Sequence, residues 1–75
     1  MKNYGTIIYN LDMIMKRKNI SKNKLSELTG ISFSGIQRYF NGTNKRVDLD
    51  VLARLCAALE CNVGDILDYQ EPNGK

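Results

Sequence analysis

The 75-residue sequence has no histidine, no tryptophan, one proline (Pro72) and two cysteines. Each shortage excludes something. Without histidine and without a Cys-x-x-Cys pair, a zinc centre cannot gather its usual four ligands. The same shortage, with no phosphate-cradling glycine loop, argues against an enzyme. Cys56 and Cys61 are five residues apart, so a disulfide between them would cross-link little. They read as reduced, buried thiols behaving as small hydrophobes. The lone proline leaves the first 71 residues free to be helical. No apolar run is long enough for a membrane span, and the N-terminus has no signal-peptide core. A cytoplasmic protein is therefore expected, with no membrane partner. Internal repeats and low-complexity segments are also missing.

The composition that remains is that of one small globular domain, 43% apolar and hence not disordered. The net charge is only +3, but it is unevenly placed. Residues 16–46 hold eight cations against the single acid Glu27, a net of +7, while residues 47–75 carry a net of −4. A field of this kind suits a polyanion, although charge runs are often only solvated faces.

Apolar residues recur at spacings of three and four, which predicts helices rather than strands. Helix 1 is expected from Thr6, its cap, to Lys18, with Ile7, Leu11, Ile14 and Met15 on one face. Ile8 and Met13 fall off that stripe. Ser21 caps helix 2, in which Leu25 and Leu28 face inward. Gly30 can take the left-handed conformation that stops it. Ile31 anchors the turn, and Ser32 caps helix 3, Phe33 to Phe40, with Ile36, Tyr39 and Phe40 inward. Asn41-Gly42 is a second stop. Asp48 or Asp50 caps helix 4, which runs to Leu59 with Leu49, Leu52, Leu55, Cys56 and Leu59 buried. Asn62 caps a short helix 5 that buries Val63, Ile66 and Leu67. The expected fold is all-α, a compact five-helix domain over 6–67, with a flexible lead-in at 1–5 and a disordered tail at 68–75.

The stretch Ser21–Asn44 organises the rest. A helix fits the major groove of DNA, provided one face offers polar side chains and the other is braced by a steeply crossing helix. That arrangement needs a very short connection. Leu25-Ser26-x-x-x-Gly30-Ile31-x-x-x-x-Ile36 supplies a buried Leu, a small contact residue, a turn Gly, a turn anchor and a buried Ile.

The segments ISKNKLSELTGIS, FSGIQRYFNGTNKR and DLDVLARLCAALECNVGDIL resemble the lambda-repressor-like, Cro-type (XRE-like) helix-turn-helix family over about residues 7–67. Ala58-Leu59 followed by Asn62-Val63 is similar to the family's closing pattern. The resemblance implies base contacts from Phe33, Ser34, Gln37, Arg38 and Asn44. It implies phosphate contacts from Lys22, Asn41, Thr43, Lys45 and Arg46. The sequence departs from the family at several of these positions. Lys22 and Phe33 stand where glutamine is common. Lys22 can still hold a phosphate, whereas Phe33 either packs on a thymine methyl or serves as a hydrophobic staple. Met15 and Phe40 replace an Arg–Glu brace, and Glu60 replaces a helix-ending glycine. Gly35, which costs helix stability of about 1 kcal/mol relative to Ala, offers a close backbone approach to DNA.

The resemblance implies a sequence-specific regulator of transcription, a repressor, acting on double-stranded DNA. A homodimer on a two-fold site is expected, through helix 5 and Tyr69, with no cofactor or small-molecule ligand evident. The competing class is a protein-interaction module, such as an antitoxin with secondary DNA binding.

Overall fold

The computed structural model describes residues 3–72. Five helices carry the core, and a two-stranded antiparallel sheet ties together the beginning and end of this region. The elements are β1 (Thr6–Tyr9), α1 (Leu11–Lys18), α2 (Lys22–Thr29), α3 (Phe33–Asn41), α4 (Leu49–Leu59), α5 (Val63–Ile66) and β2 (Leu67–Gln70).

The sheet corrects the all-α expectation. Thr6 to Tyr9 is β-branched and aromatic, which suits a half-buried pleated strand, and it pairs with Leu67–Gln70 in the register Thr6↔Gln70, Ile7↔Tyr69, Ile8↔Asp68, Tyr9↔Leu67. Helix α1 therefore starts at Leu11, with Asn10 rather than Thr6 at its N-cap position. Asn10 N–H donates to the Ile66 carbonyl at 2.7 Å and closes the sheet onto α5. Ile7, expected on a buried helical stripe, is 56% exposed on the strand. Asp68, Tyr69 and Gln70, expected in a disordered tail, form β2. Of the lead-in, residues 1–2 lie outside the described residues, as do 73–75 of the tail, and Gly5 N–H donates to the Tyr69 hydroxyl at 2.8 Å.

The helix boundaries follow the local chemistry. Ser21 Oγ accepts from Lys24 N–H and Ser32 Oγ from Gly35 N–H, each at 3.1 Å. Asp48, not Asp50, caps α4, accepting from the amides of Asp50 and Val51. Gly30 and Gly42 end α2 and α3 at φ +76° and +69°. Glu60 takes the same left-handed conformation at φ 52° and so keeps the turn that a glycine would make. The cost for a residue with a Cβ is roughly 1–2 kcal/mol. At α5 the Asp65 carboxylate accepts from Asn62 N–H at 2.9 Å.

The core comprises Leu11, Ile14 and Met15 of α1, Leu25 of α2, Ile36 and Tyr39 of α3, Leu52, Leu55 and Leu59 of α4, and Ile66 of α5. Leu28, Leu49 and Val63 were expected there and are exposed instead. Leu49 and Val63 each open a helix, and α2 has only two turns, whose single inward stripe is taken by Leu25 and Thr29. Phe40, Cys56 and Leu67 are half-buried against the core. Both cysteines are free and half-buried. Burial, reinforced by Cys56 alongside, pushes the Cys61 thiol above its ordinary pKa.

Candidate nucleic-acid interface

The turn between α2 and α3 is held by side chains bonded to backbone. Thr29 Oγ1 donates to the Leu25 carbonyl at 2.7 Å and accepts from Ile31 N–H at 3.1 Å. Ser26 Oγ donates to the Ile31 carbonyl, so the small residue at this position both permits the approach and fixes it. Arg54 of α4 reaches across to donate to the Thr29 carbonyl at 3.1 Å, while Asp50 holds its guanidinium at 3.0 Å. A cation on the last carbonyls of α2 also complements the helix dipole. The two helices consequently leave the turn at a fixed angle.

With Ile36 and Tyr39 buried, α3 leaves Phe33, Ser34, Arg38 and Asn41 exposed and Gln37 half-buried. These residues stand at i, i+1, i+4, i+5 and i+8, which is one helical face. Phe33 is 47% exposed at its leading end. The Ser34 hydroxyl lies 3.3 Å from that of Ser32. Gln37 Oε1 is buried without a hydrogen-bond partner among the described residues. Gly35 is buried on the side of α3 that faces the turn. A Cβ there would come within 2.9 Å of Ile31 Cγ2 and 3.2 Å of Ser32 Oγ. Its small size therefore serves the turn.

Lys22 opens α2 with its ammonium 4.1 Å from the centroid of the Phe40 ring. A cation–π contact thus ties the start of α2 to the end of α3. The segment after α3 brings the remaining candidates together. Thr43 N–H donates to the Arg38 carbonyl at 3.1 Å, and its hydroxyl points to the same oxygen at 3.4 Å. Asn44 is half-buried, and Lys45 and Arg46 are exposed. A groove runs between α3 and this segment, lined by Gly35, Arg38, Asn44 and Arg46. Arg38, Asn44 and Arg46 therefore share one concavity.

Three contributors escape a reading of the sequence. Thr29 is buried and bonded on both sides. Arg54, whose i,i+4 spacing from Asp50 was a visible signal, braces the turn. Tyr9 donates its hydroxyl to the Asn44 carbonyl at 2.7 Å. No local pattern links residues 35 positions apart.

The family model of the Cro/C1-type HTH DNA-binding domain matches residues 10–72. The chain belongs to this family. Among its relatives, this Cro/C1-type chain is 39% identical over 64 residues to the HTH-type transcriptional regulator YozG of Bacillus subtilis strain 168, covering 85% of this chain and 76% of that protein. It is 32% identical over 57 residues to the SPbeta prophage-derived HTH-type transcriptional regulator YopS of the same organism, covering 76% and 77%. The crystal structure of transcriptional regulator VanUg superposes with a TM-score of 0.70 at 28% identity, covering 95% of this chain and 92% of that one. The crystal structure of a protein from Bacteroides fragilis shares the fold, with a TM-score of 0.74 at 17% identity over 84% of this chain and 100% of that one. The Cro/C1-type family is a DNA-binding family, not an enzyme family. Among the described residues no helix is long and apolar enough to cross a membrane.

Proposed function

We propose that the protein is a sequence-specific regulator of transcription that binds double-stranded DNA with α3 in the major groove. The observation that carries this reading is the single face of α3 bearing Phe33, Ser34, Gln37, Arg38 and Asn41, continued by the exposed cations Lys45 and Arg46. In this reading Ser34, Gln37, Arg38 and Asn44 read base edges and Phe33 packs on a thymine methyl. Lys22, Asn41, Thr43, Lys45 and Arg46 hold phosphates and fix the register. Arg38 is assigned to a guanine, the commonest partner of a bidentate guanidinium. Repression is the simplest outcome, because occupying a promoter needs only this surface. Two copies on a two-fold site are proposed, since one module reads few base pairs. Exposed Val63 and Tyr69, at 50% and 51%, offer apolar surface for that pairing.

Selection of bound sites from a random DNA pool, followed by titration of variants, tests the assignment. Arg38→Ala should relax preference at one base pair by about 1–3 kcal/mol. Lys45→Ala should weaken binding to all sequences alike and lower the salt slope by about 1. If both variants show the same selectivity profile, the division of labour is wrong. A nearly salt-independent response on random duplex would instead favour a protein-interaction module.

A further inference from the structure

The segment Gly42–Asp48 has little backbone structure of its own. Apart from Thr43 N–H, bonded to the Arg38 carbonyl, no backbone–backbone hydrogen bond lies within residues 43–47 among the described residues. Two tyrosines from elsewhere hold it. The Tyr9 ring of β1 packs against Gly42, where a Cβ would lie 3.4 Å from Tyr9 Cδ1. Its hydroxyl donates to the Asn44 carbonyl at 2.7 Å. Tyr39 of α3 meets the Tyr9 ring edge-on, with centroids 5.8 Å apart at 81°. The Tyr39 hydroxyl accepts from Asp48 N–H at 3.1 Å. The segment is thus pinned at its start, middle and end, and Lys45 and Arg46 follow the middle pin directly.

We infer that Tyr9 is a positioning residue for DNA binding: its hydroxyl, delivered by the β1–β2 sheet, fixes the Asn44–Arg46 backbone so that Lys45 and Arg46 are preset toward phosphates. Tyr9 itself touches no DNA. The inference rests on the assignment of Lys45 and Arg46 to phosphates in the proposed function. An untethered segment would have to be ordered during binding, and that entropy cost would appear as lost affinity. Because phosphate contacts carry no sequence information, the loss should be alike for every duplex.

The test uses the full chain, a random-sequence DNA duplex and a salt titration. Tyr9→Phe removes one oxygen and keeps the ring, so the helical circular dichroism should be unchanged. Affinity should fall about three- to tenfold, the equivalent of one hydrogen bond, and the salt slope should become shallower. In a Lys45→Ala/Arg46→Ala background, Tyr9→Phe should cause no further loss. An equal loss in both backgrounds would mean that Tyr9 acts through the whole fold, which overturns the inference. Unchanged affinity and slope in Tyr9→Phe would overturn it as well. If Lys45→Ala/Arg46→Ala binds like the unmodified chain, the phosphate assignment and the inference fall together. A surviving Arg38→Ala effect would then show that the DNA-binding reading stands without them.

Discussion

The two ends of α3 are fixed by different means. At its N-terminal end, Ser26, Thr29 and Ser32 bond to backbone groups within five residues of themselves, and among the described residues only Arg54 donates from afar. At its C-terminal end the following segment is held largely by aromatic hydroxyls, one of them 35 residues away. The first end is a local motif that would keep much of its geometry in many surroundings. The second depends on the whole fold being assembled. A helix-turn-helix can thus have an autonomous entrance and a borrowed exit, and substitutions that separate them show how far each depends on the other.

The largest effect should come from the residue both ends share. Ile36 is fully buried under α3, and Ile36→Ala should cost about 2–5 kcal/mol. For a domain of this size that is a large share of total stability. Urea denaturation should show a lower midpoint, with both ends of α3 lost in one transition. Separate transitions for the two ends would break the picture of a common brace. Next come the paired turn glycines. Gly30→Ala and Gly42→Ala both force a Cβ into the left-handed region, at roughly 1–2 kcal/mol each. Near Gly30 the new carbon meets only Arg54 Nη1 at 3.5 Å, whereas at Gly42 it meets the Tyr9 ring at 3.4 Å. The two should melt alike, but only Gly42→Ala should make the salt slope of DNA binding shallower. Equal slopes would remove the distinction between the two ends.

The smallest effect is alkaline. Burial, and secondarily Tyr39 alongside, raises the Tyr9 pKa above its ordinary value. The protonated form is thus favoured in the folded protein. Its contribution to stability is complete below the unfolded value of about 10 and is lost as pH rises through the folded one. Denaturation midpoints followed into alkali should decline in that window, and less steeply in Tyr9→Phe. An identical decline in both proteins would remove Tyr9 as the source.

Most of the entrance was legible in the sequence. Ser21, Gly30 and Ser32 announce themselves because capping and left-handed turns are decided within a few residues; Gly42 does so at the exit, where the α4 cap stayed open between Asp48 and Asp50. The five helices and most of the core followed from spacing. Ile7 misled, since it falls by chance at a helical interval from Leu11, Ile14 and Met15. Its actual partner, Tyr69, is adjacent in space but distant in the chain, and no local period encodes such pairing. Leu28, Leu49 and Val63 show a second limit. In short helices, apolar character exceeds the inward surface available, and geometry decides which residue takes it. Gly35 shows a third, because spacing marks a glycine as unusual without saying which side of the helix needs it. Which groups touch DNA is a proposal carried by the exposed face of α3 and by family resemblance.

The β1–β2 pairing joins residues 58 to 64 positions apart, from Tyr9 opposite Leu67 to Thr6 opposite Gln70. Closing so long a loop has an entropic cost that helical contacts between neighbours avoid. The sheet should therefore form after the helical core and be among the first parts to open in the folded protein. Amide hydrogen exchange should be fastest, within regular structure, in Thr6–Tyr9 and Leu67–Gln70. Each such opening would carry Tyr9 away from Asn44. On this view the sheet keeps time for the middle of the segment after α3: the Asn44 carbonyl is held only while the sheet is closed, whereas the Tyr39 hydroxyl keeps its hold on Asp48.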